Sequence, residues 1–89
     1  MQPPELEVLD QLQGCDEPLS LMASLFPDES YAKRAIGAMI RAGDIVVMDA
    51  NGRVVPEWRW NEIERDPAAW AAAAKYRLSL TDAGANRIS

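Results

Sequence analysis

Three carboxylates at alternate positions, Glu62, Glu64 and Asp66, are the side chains best spaced for acid–base chemistry or for a hard metal ion. The chain contains no histidine, which is the commonest general base and metal ligand. A solvated loop with one helix cap explains the three carboxylates more simply. Cys15 is the only cysteine, and we expect it to be a small buried residue. The sequence therefore predicts no catalytic residue, metal site or cofactor, and a protein that is not an enzyme.

Basic and hydroxyl side chains recur at helical spacing between Asp28 and Gly43. The apolar residues of this stretch form a stripe typical of a buried helix face, made of Ala32, Ala35, Ile36, Met39 and Ile40. The opposite face then carries Ser30, Tyr31, Lys33, Arg34, Gly37, Ala38 and Arg41. Such a face could contact DNA phosphates and base edges, or it could simply be solvated.

The helix that carries this face is the third of three predicted before residue 44. Pro4 and Gly14 bound the first, and Ser20 is expected to cap the second, which ends near Phe26 before Pro27. Asp28 is the expected N-cap of the third helix, and Gly43 ends it. The second and third helices are therefore joined by only about three residues. We expect Leu9, Leu12, Leu25, Ile36, Met39, Ile40 and Leu80 in one core.

The second half of the chain predicts a hairpin followed by an insertion. Asn51-Gly52 lies between the apolar residues 45–48 and the returning strand Arg53-Val54-Val55, which is a strong hairpin signal. Asp66-Pro67 starts an alanine-rich segment that we expect to be helical to about Lys75. Residues 76–80 then form a strand with Leu78 and Leu80 facing inward, and Thr81 caps a short final helix.

Two motifs, SYAKRAIGAMIRAGDI at 30–45 and YRLSLTDAGANRI at 76–88, resemble those of MarR-like and PadR-like transcriptional regulators. The first is similar to a recognition helix that leads into the wing, and the second to the junction between a strand and a helix. The resemblance implies an α+β, winged helix-turn-helix fold. We expect one domain over residues 1–89, with a three-helix core, a β-hairpin wing, a helical insertion at about 56–75 and a short C-terminal helix.

This resemblance implies double-stranded DNA as the partner and a role in transcription regulation. The expected DNA-binding residues are Ser30, Tyr31, Lys33, Arg34, Gly37, Arg41 and, at the hairpin, Arg53. Asp28 and Glu29 oppose this assignment, because carboxylates at the start of the helix repel phosphate. The chain also ends soon after the final helix begins, although these regulators dimerise through longer terminal helices.

Residues Trp58, Arg59 and Trp60 form a possible partner surface. In a strand the two tryptophans would share one face, which could stack on bases or bind another protein. Alternatively, Trp58, Trp60 and a largely buried Trp70 pack together and clamp the insertion to the domain. A winged-helix module that binds protein through this surface or its acidic N-terminal half, or that forms a homodimer, is the alternative function.

The charges of the chain are unevenly distributed. Residues 1–32 contain seven acidic and no basic residues, and residues 33–89 contain nine basic and seven acidic ones, so the two parts carry −7 and +2 of the net −5. This asymmetry allows a basic face on an acidic protein. The lone cysteine, the absence of a signal sequence and the lack of a long apolar segment predict a cytoplasmic protein that does not cross a membrane.

Overall fold

A computed structural model describes residues 3–71 and 75–88. The elements follow in the order α1 (Pro4–Leu12), β1 (Glu17–Pro18), α2 (Leu19–Ala23), α3 (Glu29–Arg41), β2 (Ile45–Asp49), β3 (Val54–Val55), a 3₁₀ turn (Glu57–Arg59), α4 (Trp60–Glu64), α5 (Pro67–Ala71), β4 (Tyr76–Leu80) and α6 (Asp82–Ile88). The chain is therefore an α+β domain. The end of the predicted helix 67–75 lies partly outside the described residues.

The strands form one antiparallel sheet in the order β1-β4-β2-β3. Strand β4 pairs with all five residues of β2, from Ile45 opposite Leu80 to Asp49 opposite Tyr76. The predicted hairpin is confirmed on the other edge of β2, where Val47 lies opposite Val55. The segment between Asp49 and Tyr76, which holds β3 and the insertion, thus begins and ends at paired positions of the sheet.

The core forms where α1, α2 and α3 pack against one face of this sheet. The largest fully buried side chains come from every part of this arrangement and are Leu9, Leu19, Met22, Ile36, Ile45, Leu78 and Val8. The predicted core residues Leu9, Leu12, Ile36 and Met39 are buried, whereas Leu25, Ile40 and Leu80 are half-buried and pack against the cluster. The helical phase predicted for α3 is therefore confirmed.

The start and end of α3 are set by the predicted residues. Asp28 Oδ1 accepts a hydrogen bond of 2.7 Å from the backbone nitrogen of Tyr31, which satisfies one of the free amides of the first turn. Gly43, two residues after the helix, has φ = 84°, a left-handed conformation that glycine adopts without strain.

The second helix differs from its prediction. It begins at Leu19 with Pro18 in the N-cap position, so Ser20 lies inside the helix and does not cap it. It ends at Ala23 rather than near Phe26, and residues 24–28 connect it to α3, a longer connection than predicted. Leu19 and Met22 are the buried residues of this helix, whereas Leu21 lies on its outer side and is 47 % exposed.

The insertion is more helical than the sequence suggests. Trp58 and Trp60 do not share a strand face, because residues 57–59 form a 3₁₀ turn and Trp60 begins α4. Trp60 and Ile63, one helical turn apart, are both buried. The arrangement in which Trp58 and Trp60 share one face of a strand is therefore not formed, and the spacing of Trp60 and Ile63 is the signal that indicates a helix instead.

The junction between β4 and α6 is tied to the turn between α3 and β2. The Thr81 hydroxyl accepts a hydrogen bond of 3.0 Å from Gly84 N, so Thr81 caps α6 as predicted. The same hydroxyl lies 2.9 Å from the carbonyl oxygen of Asp44, to which it can donate. A Cβ atom on Gly84 would lie 2.1 Å from that carbonyl oxygen, so only glycine permits the contact.

No helix among the described residues is long and apolar enough to cross a membrane.

We expect Gly84→Ala to lower the free energy of unfolding by about 1–3 kcal/mol, because the new methyl group overlaps a backbone carbonyl that cannot rotate away. The clash should exceed the gain in helix propensity of about 1 kcal/mol for replacing glycine by alanine. Urea denaturation followed by circular dichroism measures the change. Gly14→Ala is the matched control: apart from its chain neighbours, a Cβ atom added there would have no atom within 4 Å, and we expect a change within about 0.5 kcal/mol. Equal effects of the two substitutions would contradict the close contact.

Candidate functional site

A narrow ridge of α3 remains open to solvent. Ala32, Ile36 and Met39 face the core, and the exposed residues on the far side are Ser30, Arg34, Ala38 and Arg41. Arg34 and Arg41 are seven residues apart, so they are about 10 Å apart along the helix axis. Three of the six predicted DNA-binding residues of this helix, Ser30, Arg34 and Arg41, therefore lie on an accessible surface.

The insertion covers one flank of this ridge. Gly37, expected on the accessible face, is buried, and a Cβ atom there would lie 2.5 Å from the indole nitrogen of Trp60. Trp60 makes an edge contact with Trp70, with ring centroids 5.7 Å apart. The indole N–H of Trp70 donates to the carbonyl oxygen of Ile63 at 2.9 Å. Gly37 thus serves close packing of α4, and its expected position on the accessible face is wrong, because the indole of Trp60 occupies that space.

Lys33 is also held by its neighbours. Its Nζ lies 3.1 Å from Glu29 Oε1 and 5.5 Å from the centre of the Trp70 ring. The ion pair and the cation–π contact keep the ammonium group half-buried between α3 and the insertion. Lys33 is therefore less available to an anionic partner than its sequence position suggests.

Tyr31 lies on the opposite flank and contacts the first helix. Its hydroxyl donates to Glu5 Oε1 at 3.2 Å, and its ring lies 5.2 Å from that of Phe26. Desolvation, together with the nearby Glu5 carboxylate, raises the pKa of Tyr31. The hydroxyl therefore stays protonated at neutral pH and is engaged within the domain.

Three predicted residues nevertheless line one surface depression. Ser30, Lys33 and Arg34 surround a volume of about 370 Å³, and Glu64 of α4 forms the remaining side. Two cations and a hydroxyl suit a phosphate, whereas the Glu64 carboxylate opposes it. The sequence does not predict Glu64 at this position, because the packing of the insertion over α3 is not visible in it.

Arg53 lies at the end of the turn that joins β2 to β3. Asp49 Oδ1 accepts hydrogen bonds from the backbone nitrogens of Asn51 and Arg53, at 2.9 and 3.0 Å. Gly52 has φ = 81°, as the turn requires. The Asp49 carboxylate thus organises the turn, and the Arg53 side chain is exposed to solvent.

Ion pairs hold four of the nine cations, and the arginines of this surface are among the five that form none within the described residues. Ion pairs within the described residues join Lys33 to Glu29, Arg59 to Glu62, Lys75 to Asp66 and Arg87 to Asp44. In the same part of the chain, Arg34, Arg41 and Arg53 take part in none. These three guanidinium groups are therefore free to bind an anion without breaking an existing pair.

The predicted partner surface divides into exposed and buried parts. Trp58 is 77 % exposed, whereas Trp60 is only 4 % exposed and belongs to the core. The Trp60 indole nitrogen is buried and has no hydrogen-bond partner among the described residues. Arg59 is exposed, and its Nε lies 3.0 Å from Glu62. Of the two tryptophans, only Trp58 is available to a partner.

The carboxylates that could have bound a metal have other roles. Asp66 Oδ1 accepts from Ala68 N at 3.1 Å at the start of α5. The hydrogen bond from Lys75 lowers the pKa of Asp66, and the same bond raises the pKa of Lys75. Within the described residues, no group of three or more Cys, Asp or Glu side chains could hold a metal ion.

Cys15 is exposed, so the expectation that it is buried is wrong. It follows the end of α1, where the chain turns away from the core, and its Sγ lies 3.1 Å from Glu17 Oε1. The hydrogen bond to this carboxylate and its negative charge raise the pKa of the thiol. The thiol is accessible, but its environment disfavours the reactive thiolate.

The chain matches no protein-family model, and no curated protein or solved structure was found to be similar to it.

We expect Glu17→Gln to increase the alkylation rate of Cys15 by iodoacetamide at pH 7.5. Loss of the carboxylate lowers the thiol pKa toward its ordinary value, and each recovered pKa unit raises the thiolate fraction about tenfold below the pKa. Mass spectrometry of the alkylated chain measures the rate. Glu62→Gln, which changes net charge equally at a distant position, should leave the rate unchanged. An unaltered rate in Glu17→Gln would show that Glu17 does not control the thiol.

We expect Gly37→Ala to displace Trp60 from α3, because the new methyl group overlaps the indole. Iodide quenching in a Trp58→Phe background, where only Trp60 and Trp70 emit, measures this displacement. Quenching should be weak in the background variant and should increase when Gly37→Ala is added. Ala38→Gly, at a neighbouring exposed position, is the control and should not increase it. Strong quenching before Gly37 is changed would contradict the packing of the insertion on α3.

Proposed function

We propose that this protein is a winged-helix DNA-binding protein that contacts double-stranded DNA through α3 and acts in transcription regulation. The observation that carries the proposal is the exposed ridge of α3, on which Arg34 and Arg41 have no ion pair within the described residues. A helix of this width fits the major groove, and arginine binds guanine edges and phosphates with two hydrogen bonds.

The order of the elements supports this proposal. Three helices precede the antiparallel strands β2 and β4, and the short strand β1 lies against β4, as in a winged helix-turn-helix domain. In this interpretation α2 and α3 form the helix-turn-helix, and β2 and β4 are the strands of the wing. The turn containing Arg53 then provides a phosphate contact beside the groove.

The surrounding carboxylates limit the strength of such binding. Glu29 and Glu64 lie beside the N-terminal half of the ridge, and Glu29 already neutralises Lys33. Because phosphate neutralisation supplies much of the affinity for DNA, few free cations imply weak non-specific binding. The proposal therefore depends on contacts from Arg34 and Arg41 more than on overall charge.

Binding of another protein is the second candidate function. The observation that favours it is the exposure of Trp58 (77 %) and Val54 (58 %), since exposed tryptophan is enriched at the energetic centres of protein interfaces. The acidic N-terminal half has less support as a partner surface, because Glu5 bonds to Tyr31 within the domain.

We expect Arg34→Ala to weaken binding to a specific DNA sequence by ~1–3 kcal/mol, the amount for losing a bidentate base contact. Arg53→Ala should instead weaken binding to all sequences and lower the salt slope by about one. Sequences selected from a random duplex pool, followed by titrations at several salt concentrations, measure both effects.

Arg65→Ala is the matched control for these two variants. It removes the same charge, but Arg65 is an exposed residue that follows α4 and lies neither on α3 nor on a strand of the proposed wing. The DNA proposal is eliminated if the selection yields no sequence and the protein binds no duplex at low salt. Binding that responds equally to all three substitutions would reduce it to an effect of net charge.

We expect Glu29→Gln to tighten non-specific DNA binding, because it removes a carboxylate near the phosphates and releases Lys33 from its ion pair. Titration of a random duplex at low salt measures the change. The control is Glu62→Gln, which frees Arg59 in the insertion. A tightening of the same size in both variants would mean that the position beside α3 has no special effect.

A further inference from the structure

A second depression lies at the C-terminal end of the α3 ridge, where the insertion begins. It has a volume of about 440 Å³, within the range of small-ligand sites, and is lined by Arg41, Glu57, Trp58, Trp60 and Asn61. Arg41 belongs to both the ridge and this depression. The depression therefore continues the surface proposed to bind DNA.

The lining side chains suit the separate parts of a nucleotide. The exposed Trp58 indole offers a flat surface on which a base can stack. Arg41 provides a guanidinium group for a phosphate. The exposed amide of Asn61 offers a donor and an acceptor that match the edge of a base such as adenine, and Glu57 can accept a hydrogen bond from an exocyclic amino group.

The positions of Trp58 and Trp60 explain why stacking would involve only one of them. Trp60 packs against Gly37 and Trp70 and forms the buried wall of the depression. Trp58 has no ring partner among the described aromatic contacts and remains mostly exposed. A base stacked on Trp58 would cover this apolar surface without disturbing the core.

We propose that Trp58 and Arg41 form a binding site for a single unpaired nucleotide, with the base stacked on Trp58 and the phosphate bound by Arg41. The proposal deepens the DNA-binding function. It rests on that function because DNA bound to α3 would bring a strand close to this depression. Two sources share this chemistry: a nucleotide at the single-stranded end of a duplex and a free mononucleotide. A base inside an intact duplex cannot stack on Trp58, because its two faces are already stacked on neighbouring bases.

Binding of the full chain to two DNA probes tests the proposal. One is a blunt duplex, and the other is the same duplex with a three-nucleotide single-stranded extension. We expect the extension to tighten binding by about 5- to 150-fold, corresponding to the stacking of one base. Trp58→Ala should abolish this gain and leave the affinity for the blunt duplex unchanged, whereas Trp58→Phe should retain part of it.

Two further substitutions control for lost apolar surface and lost duplex binding. Leu21→Ala removes another exposed apolar side chain, on α2, and should preserve the gain. Arg34→Ala should weaken both probes by the same factor and therefore also preserve it. The site at Trp58 would be overturned if Leu21→Ala lost the tighter binding caused by the extension. It would also be overturned if Trp58→Ala gained as much from the extension as the unaltered chain.

Fluorescence separates the two sources of the nucleotide. Deoxyadenosine monophosphate and a short single-stranded oligonucleotide are added to the unaltered chain and to Trp58→Phe. Quenching by the mononucleotide that disappears in Trp58→Phe supports a site that accepts free nucleotides. Quenching by the oligonucleotide alone supports a site for a DNA strand end, and quenching by neither overturns the proposal.

The same measurements distinguish failure of this site from failure of duplex binding. If the blunt duplex does not bind but the oligonucleotide quenches Trp58, the site stands and the role of α3 fails. If the duplex binds through Arg34 but Trp58→Ala has no effect on any probe, only the site fails. Self-association that Trp58→Ala abolishes, without any nucleotide effect, would instead assign Trp58 to a protein interface and overturn the proposal.

Discussion

The contact between the Gly43–Asp44 turn and the Thr81–Gly84 junction is the constraint on which the remaining architecture depends. Thr81 N donates to the Asp44 carbonyl oxygen at 3.1 Å, and the Thr81 hydroxyl connects the same turn to the Gly84 amide in the first turn of α6. Arg87 adds an ion pair of 2.9 Å with the buried Asp44 carboxylate. These bonds join the end of α3, the start of β2, the end of β4 and the start of α6. They therefore fix how α3 is oriented relative to the sheet, and so which of its side chains face solvent.

The insertion then determines how much of the outward face remains accessible. Because residue 37 has no side chain, the Trp60 indole can lie directly on α3, and Trp70 can contact both Trp60 and Lys33. This packing covers one flank of the helix and leaves the ridge with Arg34 and Arg41. It also places Glu64 beside that ridge. The same contacts that complete the core of a small domain thus narrow the surface available to a partner.

Most of the fold could be predicted from the sequence where several local signals agreed. Asp28, the apolar stripe of α3 and Gly43 all indicate one helix, and Thr81 with Gly84 marks the final junction. Where signals conflicted, alternatives remained open: the two tryptophans would share one face in a strand, whereas Trp60 and Ile63 have helical spacing and are both buried in α4. The burial of Gly37 was not predictable from α3 alone, because its cause is a side chain 23 residues later in a separately folded segment. The candidate site was therefore predicted in part, with its arginines correctly placed and its covered flank missed.

The charge distribution decides what kind of DNA binding the proposed surface could support. Four of the nine basic residues are engaged in ion pairs within the described residues, and of the remaining five Arg34, Arg41 and Arg53 belong to the proposed surface. Three phosphate contacts would change the affinity only about 40-fold between 50 and 200 mM salt, against about 10³- to 10⁵-fold for six to ten contacts. Such a protein would gain little from general attraction to DNA. Its discrimination would have to come from short-range contacts, of which a guanine edge at Arg34 and a stacked base at Trp58 are the two that this surface can provide.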